Sequence, residues 1–331
     1  MASTLPVHTI IGANGAVGRS LKAHLAKRST DLAVRTVSRS ASSDPSHVSA
    51  SCLDHDAIVA ACAGSAVVYL VIGIEYNATV WERDWPVIME NVLDACAASK
   101  ATLIFADNLY SYGATKEVLT TALPYTTSAT PSRKALVRAN LSRRIEAVAK
   151  AKTIPGYAIV RGSDFFGPLC TGLSHLGDYV VRPIMQGQKA QFIVPFDVYK
   201  HSITYDDDFG RCLCIAGTST RALGRAWHVP NNDPLTFKQY VDIIAQVVEE
   251  SGGPPASTVK VGRMMPPWLQ AAVSPFVSFF RETRDMYQVC WDHDYIVDGS
   301  DFANEFAAEW GAPTPYKVGF KAVVDHYNTQ K

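Results

Sequence analysis

The chain has 331 residues, of which 47% are hydrophobic and 19% are charged. This apolar content supports a large core and excludes a disordered protein, and the length fits one large α/β domain or two unequal lobes. Lysine and arginine total 31, and so do aspartate and glutamate. Without an overall positive field, the chain is not expected to be a dedicated nucleic-acid-binding protein.

The seven cysteines are scattered along the chain and include no Cys-x-x-Cys pair. This pattern predicts mostly buried, reduced thiols and a cytoplasmic location. The first residues lack the basic start and long apolar stretch of a leader peptide. Segment 266–280 is apolar but short and interrupted by prolines, so no membrane span is expected. A packed helix, a lid over the site or a peripheral membrane contact remains open for it.

Short apolar runs alternate with helical patterns through the first half of the chain. This alternation predicts βαβ units and a doubly wound parallel sheet of the Rossmann type. After residue 168 the segments shorten and prolines recur, which indicates a smaller C-terminal substrate lobe. We therefore assign 1–168 mainly to dinucleotide binding and 169–331 mainly to the substrate lobe, with a strand near 225–230 returning to the sheet. The predicted strands are 7–11, 33–38, 66–72, 102–106 and 157–160, and the predicted helices are 18–27, 56–62, 85–99 and 131–152.

A glycine-rich loop follows the first predicted strand and opens the first helix. Glycines permit a tight turn and let backbone N–H groups approach a pyrophosphate, and the helix N-terminus adds unpaired donors. The spacing is Gly-x-x-Gly-x-x-Gly, and a simple strand-to-helix turn is the alternative interpretation. The residues predicted to bind the cofactor here are Gly12, Asn14, Gly15, Ala16, Val17 and Gly18.

The second predicted strand ends at Ser38 and Arg39, and no acidic residue lies between Leu32 and Ser43. An acidic side chain at this place would bind the ribose hydroxyls of NAD(H), whereas arginine suits a 2′-phosphate. We therefore expect NADP(H) as the cofactor. The alternative is that Arg39 is only a solvated surface charge.

In several segments the sequence resembles the atypical extended short-chain dehydrogenase/reductases, specifically the members similar to NAD-dependent epimerases and dehydratases. The resemblance covers nearly the whole chain and implies a Rossmann-type domain with its site at the carboxyl ends of the strands, between the lobes. The family's glycine-acid pair before the fourth strand has its glycine, Gly64, but no acid. Besides the glycine loop, the matching segments are Asn91-Val92-Leu93, Tyr112-Gly113, 161–168, 201–208 and 227–230.

The resemblance implies a catalytic Ser or Thr, Tyr and Lys, with the Tyr hydroxyl moving the substrate proton and the Lys lowering its pKa. At the start of the long helix, where this Tyr and Lys are expected, the chain has Lys134 and Arg138, and Leu109 occupies the Ser position. A literal Tyr-x-x-x-Lys match at Tyr112 lies too early, directly after the fifth strand. Either the site is rebuilt, or the proton-transfer machinery is lost and the chain only binds the cofactor.

In the rebuilt site, Tyr110, Tyr112 or Lys134 is the predicted proton donor, with Arg138 on the cofactor. The alternative is that the tyrosines only pack and Lys134 is a solvated first-turn residue. Other predicted cofactor contacts are the strand-end residues Ile72, Gly73 and Asn108. The predicted substrate contacts are Asp164, Phe165 and His175.

These expectations describe an NADP(H)-dependent oxidoreductase that acts on a carbonyl, alcohol or enone of a small apolar molecule. The alternatives are a non-redox isomerase or epimerase on the same scaffold, and a non-catalytic NADP(H)-sensing protein. No metal site is expected, because the consecutive carboxylates at 206–208 point in different directions. A homodimer is plausible from the resemblance.

Overall fold

A seven-stranded parallel sheet forms the centre of the molecule. The computed structural model describes residues 5–172 and 174–330. The strands of this sheet are β1 (Val7–Ile11), β2 (Ala33–Ser38), β3 (His47–Ser49), β4 (Ser65–Leu70), β5 (Thr102–Asp107), β6 (Tyr157–Arg161) and, after four short strands outside it, β11 (Arg225–His228). Their order is β11-β6-β5-β4-β1-β2-β3, and every neighbouring pair is parallel. The predicted Rossmann-type α/β architecture is confirmed.

Helices cover both faces of this sheet. One face packs against α1 (Ala16–Ala26) and α6 (Asp206–Thr218), together with the short helices α10 (Ser300–Glu305) and α11 (Ala307–Trp310). The other face packs against α2 (His55–Cys62), α3 (Ala78–Ser99) and α4 (Arg133–Lys150). Because both faces are covered, the central strands are buried along nearly their whole length, which explains their continuous apolar runs.

Helix α3 begins seven residues earlier than predicted. The side chain of Asn77 accepts hydrogen bonds from the backbone N–H groups of Thr79 and Val80, which satisfies the first turn. Pro86 therefore lies inside the helix rather than near its start. The apolar pattern becomes regular only after Trp85, which is why the sequence-based prediction missed the first two turns.

The C-terminal part is built from short strands and helices around a second core. The strands are β7 (Asp164–Phe166), β8 (Ala190–Phe192), β9 (Lys200–His201), β10 (Ile203–Tyr205), β12 (Leu235–Thr236) and β13 (Val261–Arg263). They pair as β10 with β7, β12 with β9 and β13 with β8. The remaining helices are α5 (Arg182–Met185), α7 (Phe237–Glu250), α8 (Pro267–Val273), α9 (Ser278–Asp285) and α12 (Tyr316–Thr329).

The apolar segment predicted at 266–280 contains α8 and the start of α9. Within the described ranges, no helix has the length and apolarity needed to cross a bilayer. Of the aromatic residues here, Phe280 is buried, whereas Trp268, Phe276 and Phe279 are exposed. The polar side of α9, in contrast, faces α3 and α4.

Helix α6 starts with three aspartates, and the fold shifts the pKa values of two of them, Asp206 and Asp207, in opposite directions. Burial raises the pKa of Asp206 to about 6. A hydrogen bond with His24 lowers the pKa of Asp207. Native Asp206 therefore holds a proton that the unfolded chain releases near pH 4, so its ionisation destabilises the fold as pH rises from about 4 to 6.

We expect Asp206→Asn to be more stable than the parent at pH 7, by up to about 3 kcal/mol, and to lose this advantage below about pH 4. Asp207→Asn is the matched control, because it should be less stable than the parent at pH 7 and converge with it at low pH. Urea unfolding of the three proteins at pH 4, 5.5 and 7 measures this. Equal pH dependence of the parent and Asp206→Asn would contradict the prediction.

Candidate cofactor and active site

The glycine loop closes tightly over the carboxyl end of β1. Gly12 has φ +98°, and a Cβ atom there would lie 2.7 Å from Cγ2 of Ile72. Its N–H donates to the Val37 carbonyl at 2.8 Å. At Gly18 a Cβ atom would lie 2.2 Å from the Gly12 carbonyl oxygen. Glycine is therefore required at both positions by the protein's own packing.

Helix α1 begins at this loop without a side-chain cap. Gly15 is its N-cap, and no side chain accepts a hydrogen bond from the first turn. Side chains do cap α2, α3, α4 and α7. A Cβ atom at Gly15 would meet only the Gly12 carbonyl, at 3.5 Å. The open loop and the unpaired first-turn N–H groups of Ala16, Val17 and Gly18 fit an anionic group such as a pyrophosphate.

The carboxyl end of β2 lies beside this loop. The Asn14 side-chain amide donates to Ser38 Oγ at 2.9 Å, so two predicted cofactor contacts meet. Arg39 is exposed and forms no ion pair within the described chain. Arg35, by contrast, donates to the carbonyls of Ala61 and Ala63. Among these neighbours, Arg39 is the guanidinium that is available to a ligand.

Tyr110 lies just after β5. Ile72 and Gly73 follow the carboxyl end of β4, and Asn108 follows that of β5, at the same edge of the sheet. The backbone N–H of Tyr110 donates to Asn108 Oδ1 at 3.1 Å, and the Tyr110 ring stacks on Trp81. Its hydroxyl lies 3.4 Å from that of Tyr76. Burial, with the nearby Tyr76 and Asp164, raises the pKa of Tyr110 well above its usual value, so the hydroxyl is protonated at neutral pH.

Tyr112 lies in a buried polar network rather than at an open surface. Its hydroxyl accepts from Arg161 Nη1 at 2.7 Å and lies 2.7 Å from His228 Nε2. The other ring nitrogen of His228, Nδ1, faces two backbone carbonyls and therefore carries the proton. Nε2 then accepts a hydrogen bond from the Tyr112 hydroxyl. Burial and the Arg161 charge lower the pKa of His228 to about 3, which keeps this ring neutral. The catalytic role of Tyr112 remains a prediction. Its hydroxyl proton already forms a buried hydrogen bond to His228.

Lys134 is fully buried in an ion pair with the C-terminal part of the chain. Its Nζ donates to Glu282 Oε2 at 2.6 Å and lies 3.4 Å from Asp285 Oδ2, both on α9. Glu282 also accepts from the backbone N–H of Ala78, at the start of α3. Lys134 is therefore not the solvated first-turn residue that the sequence left open, although its predicted proton-donor role remains untested.

Arg138 lies one turn further along α4 and is also buried. Its guanidinium stacks on Trp81 and Trp85, 4.7 and 4.1 Å from the ring centroids. Nη1 lies at an ion-pair distance of 3.4 Å from Asp107 Oδ1. Among the residues that the structure describes, neither Nε nor Nη1 forms a hydrogen bond. An incompletely satisfied guanidinium below the strand ends is compatible with the predicted cofactor contact, which remains a prediction.

The three predicted substrate contacts lie in different settings. Phe165 stacks on Phe209 of α6, with ring centroids 5.3 Å apart. His175 lines a small pocket of about 90 Å³, with Phe192, Met264 and Phe279 among the other lining residues. Asp164 accepts a hydrogen bond from His201 at 2.6 Å.

The sequence-based prediction missed Glu282 and Asp285 as partners of Lys134, because nothing in the sequence pairs residues that are 148 and 151 positions apart. It also missed Tyr76, although an aromatic residue shortly after β4 would have been a signal. His201 entered the sequence analysis only as the first residue of the matching segment 201–208. Within the described residues, no group of three or more His, Cys, Asp or Glu side chains could hold a metal ion.

No protein-family model matches this chain, and no curated protein matches it. Solved structures do. The dTDP-glucose 4,6-dehydratase of Bacillus anthracis, in complex with NAD, is 12% identical over 98% of this chain and 97% of its own, with TM-score 0.74. The UDP-glucuronic acid 4-epimerase of Bacillus cereus, with UDP-glucuronic acid and NAD, is 13% identical over 98% and 100%, with TM-score 0.73.

The UDP-glucose 4-epimerase of Thermus thermophilus, with NAD, is 14% identical over 97% and 99%, with TM-score 0.68. In each of these three comparisons, this chain and the solved structure are both covered almost completely. Their sequence identity of 12–14% is nevertheless too low for function to be transferred. The chain therefore shares the fold of these dehydratase and epimerase structures over 97–98% of its length.

Proposed function

We propose that the chain binds a nicotinamide dinucleotide at the carboxyl edge of the sheet and prefers NADP(H). The carrying observation is the uncapped N-terminus of α1 at the glycine loop, next to the unpaired guanidinium of Arg39. No acidic side chain competes for a phosphate between Leu32 and Ser43. The NAD bound in the similar dehydratase and epimerase structures supports the dinucleotide class for this chain.

In this proposal, different groups of the chain bind different parts of the cofactor. Backbone N–H groups of 12–18 hold the pyrophosphate, and Ser38 and Arg39 hold the 2′-phosphate. Ile72, Gly73, Asn108 and Arg138 border the nicotinamide half. The bound nicotinamide gives or accepts a hydride, and the chain supplies orientation, water exclusion and the matching proton.

The reaction that we propose is hydride transfer to or from a carbonyl, alcohol or enone of a small apolar molecule. Aromatic side chains at Tyr76, Tyr110 and Trp81, together with the pocket at His175, support an apolar substrate. A second candidate is an epimerase or isomerase, which is favoured by the likeness to two solved 4-epimerases. A third is an NADP(H) sensor, favoured because the Lys134 ammonium already has two carboxylate partners.

Replacing Arg39 with alanine tests the cofactor proposal. We expect the Kd for NADPH to rise about tenfold or more, because a charge-assisted phosphate contact is lost, and the Kd for NADH to stay nearly constant. Lys27→Ala removes one exposed charge at the far end of α1 and is the matched control. Fluorescence titration with both cofactors measures this. Equal weakening of NADPH and NADH binding would contradict the 2′-phosphate role.

The parent protein should then be assayed for turnover. Acetophenone, 2-cyclohexen-1-one and decanal with NADPH test reduction, and 1-phenylethanol with NADP⁺ tests oxidation. UDP-glucose and UDP-glucuronic acid with NAD⁺ test the epimerase candidate. Turnover of a carbonyl or alcohol supports the proposal. Cofactor binding without turnover of any of these compounds would favour the sensor.

A further inference from the structure

A buried histidine holds an aspartate at the edge of the candidate site. His201 Nε2 lies 2.6 Å from Asp164 Oδ2. The imidazole is sandwiched between Trp291 and Tyr295, whose ring centroids lie 4.7 and 4.8 Å away at interplanar angles of 6° and 21°. This packing fixes the plane of the imidazole, and therefore the direction of its hydrogen bond to the carboxylate.

The pair is closed at one end and open at the other. The His201 side chain is 3% exposed, whereas that of Asp164 is 20% exposed. Within the described residues, the second carboxylate oxygen of Asp164 has no hydrogen-bond partner. It is also not one of the polar atoms that are buried without a partner, so it remains accessible to solvent. The oriented carboxylate therefore keeps one oxygen for a ligand.

The groups around Asp164 come from several elements. They are His201 on β9, His175 before α5, Tyr76 after β4, Tyr110 after β5, and Cys290 and Tyr295 after α9. Burial acts to raise the pKa of Asp164, but the His201 hydrogen bond and the charges of His201 and His175 bring it below its usual value. The carboxyl group is thus ionised at neutral pH.

Two of these neighbours connect Asp164 to the proposed binding regions. Tyr110 belongs to the strand-end edge at which we place the nicotinamide. His175 lines the apolar pocket, and its ring nitrogens form no hydrogen bond within the described residues. Asp164 therefore lies between the proposed cofactor edge and the proposed substrate pocket. The other candidate proton donors, Lys134 and Tyr112, already have buried partners.

We propose that Asp164 is the catalytic residue that moves the substrate proton, with His201 as its positioning residue. This inference rests on the proposed function. In alcohol oxidation, the carboxylate would take the hydroxyl proton as the O–H bond breaks and the C=O bond forms, while the C–H electron pair would leave as hydride to the oxidised nicotinamide that the bound cofactor supplies. Because the carboxyl group is ionised at neutral pH, the role that we assign to Asp164 is that of the base in this oxidation direction.

The test uses 1-phenylethanol with NADP⁺, or whichever alcohol the parent oxidises in the turnover panel. We expect Asp164→Asn to lower kcat by roughly 100-fold or more, with the Kd for NADPH within twofold of the parent. The amide keeps an acceptor for His201, so the fold should survive. Asp294→Asn is the matched control, because exposed Asp294 only accepts from the backbone N–H of Lys200, beside His201.

His201 is tested by a pH profile. His201→Phe keeps a ring between Trp291 and Tyr295 but removes the donor that lowers the pKa of Asp164. The acid limb of kcat/KM should therefore move to higher pH, and His201→Gln should move it part of the way back. A purely structural role would lower activity without moving this limb.

An active Asp164→Asn, within threefold of the parent, would overturn the assignment of Asp164 and leave the proposed function intact. A loss of activity in His201→Phe with an unmoved acid limb would overturn the positioning role. A parent that turns over no alcohol or carbonyl, despite binding NADPH, would overturn the proposed oxidoreductase and the Asp164 proposal with it.

Discussion

Replacing Gly18 with alanine should destabilise the folded protein and abolish tight NADPH binding, whereas replacing Gly15 should affect binding alone. At position 18 the added Cβ would lie 2.2 Å from the Gly12 carbonyl oxygen and 2.8 Å from Ala13 Cα, so the loop backbone must move. We expect a loss of about 1–3 kcal/mol in the free energy of unfolding, together with a more than tenfold weaker Kd.

At position 15 the backbone has φ −72°, which suits alanine, and the nearest atom to the new Cβ is 3.5 Å away. The unfolding free energy should change little, but the methyl group would occupy the space proposed for the pyrophosphate. Urea unfolding and NADPH titration of both variants separate the two effects. Parent-like NADPH affinity in Gly15→Ala would show that the cofactor does not use this loop.

Replacing Lys134 with methionine should cost about 3–5 kcal/mol in the free energy of unfolding, because it removes the buried cation of Glu282 and leaves only the exposed Arg281, 3.7 Å from Oε1. The side chains of Lys134 and Glu282 are 0% and 6% exposed. Lys317→Met is the matched control, since its pair with Glu250 has a similar 2.7 Å distance but is more than half exposed. That control should lose no more than about 1 kcal/mol.

The double variant Lys134→Met/Glu282→Gln should recover much of this stability, because the amide oxygen can still accept from Ala78 N–H and both members of the buried pair have lost their charge. Turnover of the recovered double variant also tests the sequence-based role of Lys134. Restored turnover would exclude Lys134 as the proton donor. Restored stability without turnover would favour it over Asp164.

The central sheet could be predicted from sequence because its strands are covered on both faces and the helices between them have regular apolar spacing. The glycine loop was equally accessible, since its signal lies within seven consecutive residues. Strands β7 to β10, β12 and β13 have only two or three residues each, and their pairing depends on distant partners. No local pattern specifies such strands.

The candidate site divides in the same way. Asn14, Ser38 and Arg39 could be placed together from sequence because strand ends meet at one edge of a parallel sheet, and the structure joins Asn14 to Ser38, while their cofactor role stays a prediction. The partners of Lys134 and the burial of Tyr112 could not be found, because they depend on contacts across 148 and 116 positions. A tyrosine in a buried network and a tyrosine at an open site have the same sequence spacing, so spacing cannot distinguish them.

The contact between Lys134 and α9 also matters during synthesis on the ribosome. A nascent chain that has passed residue 168 contains the six strands from β1 to β6, but it lacks β11 at the sheet edge and Glu282 beside Lys134. Without Glu282, closing α3 and α4 around Lys134 would bury an ammonium that lacks this carboxylate partner. We therefore expect folding to be completed only after translation has passed residue 285, and an expressed fragment 1–168 not to reach the native state.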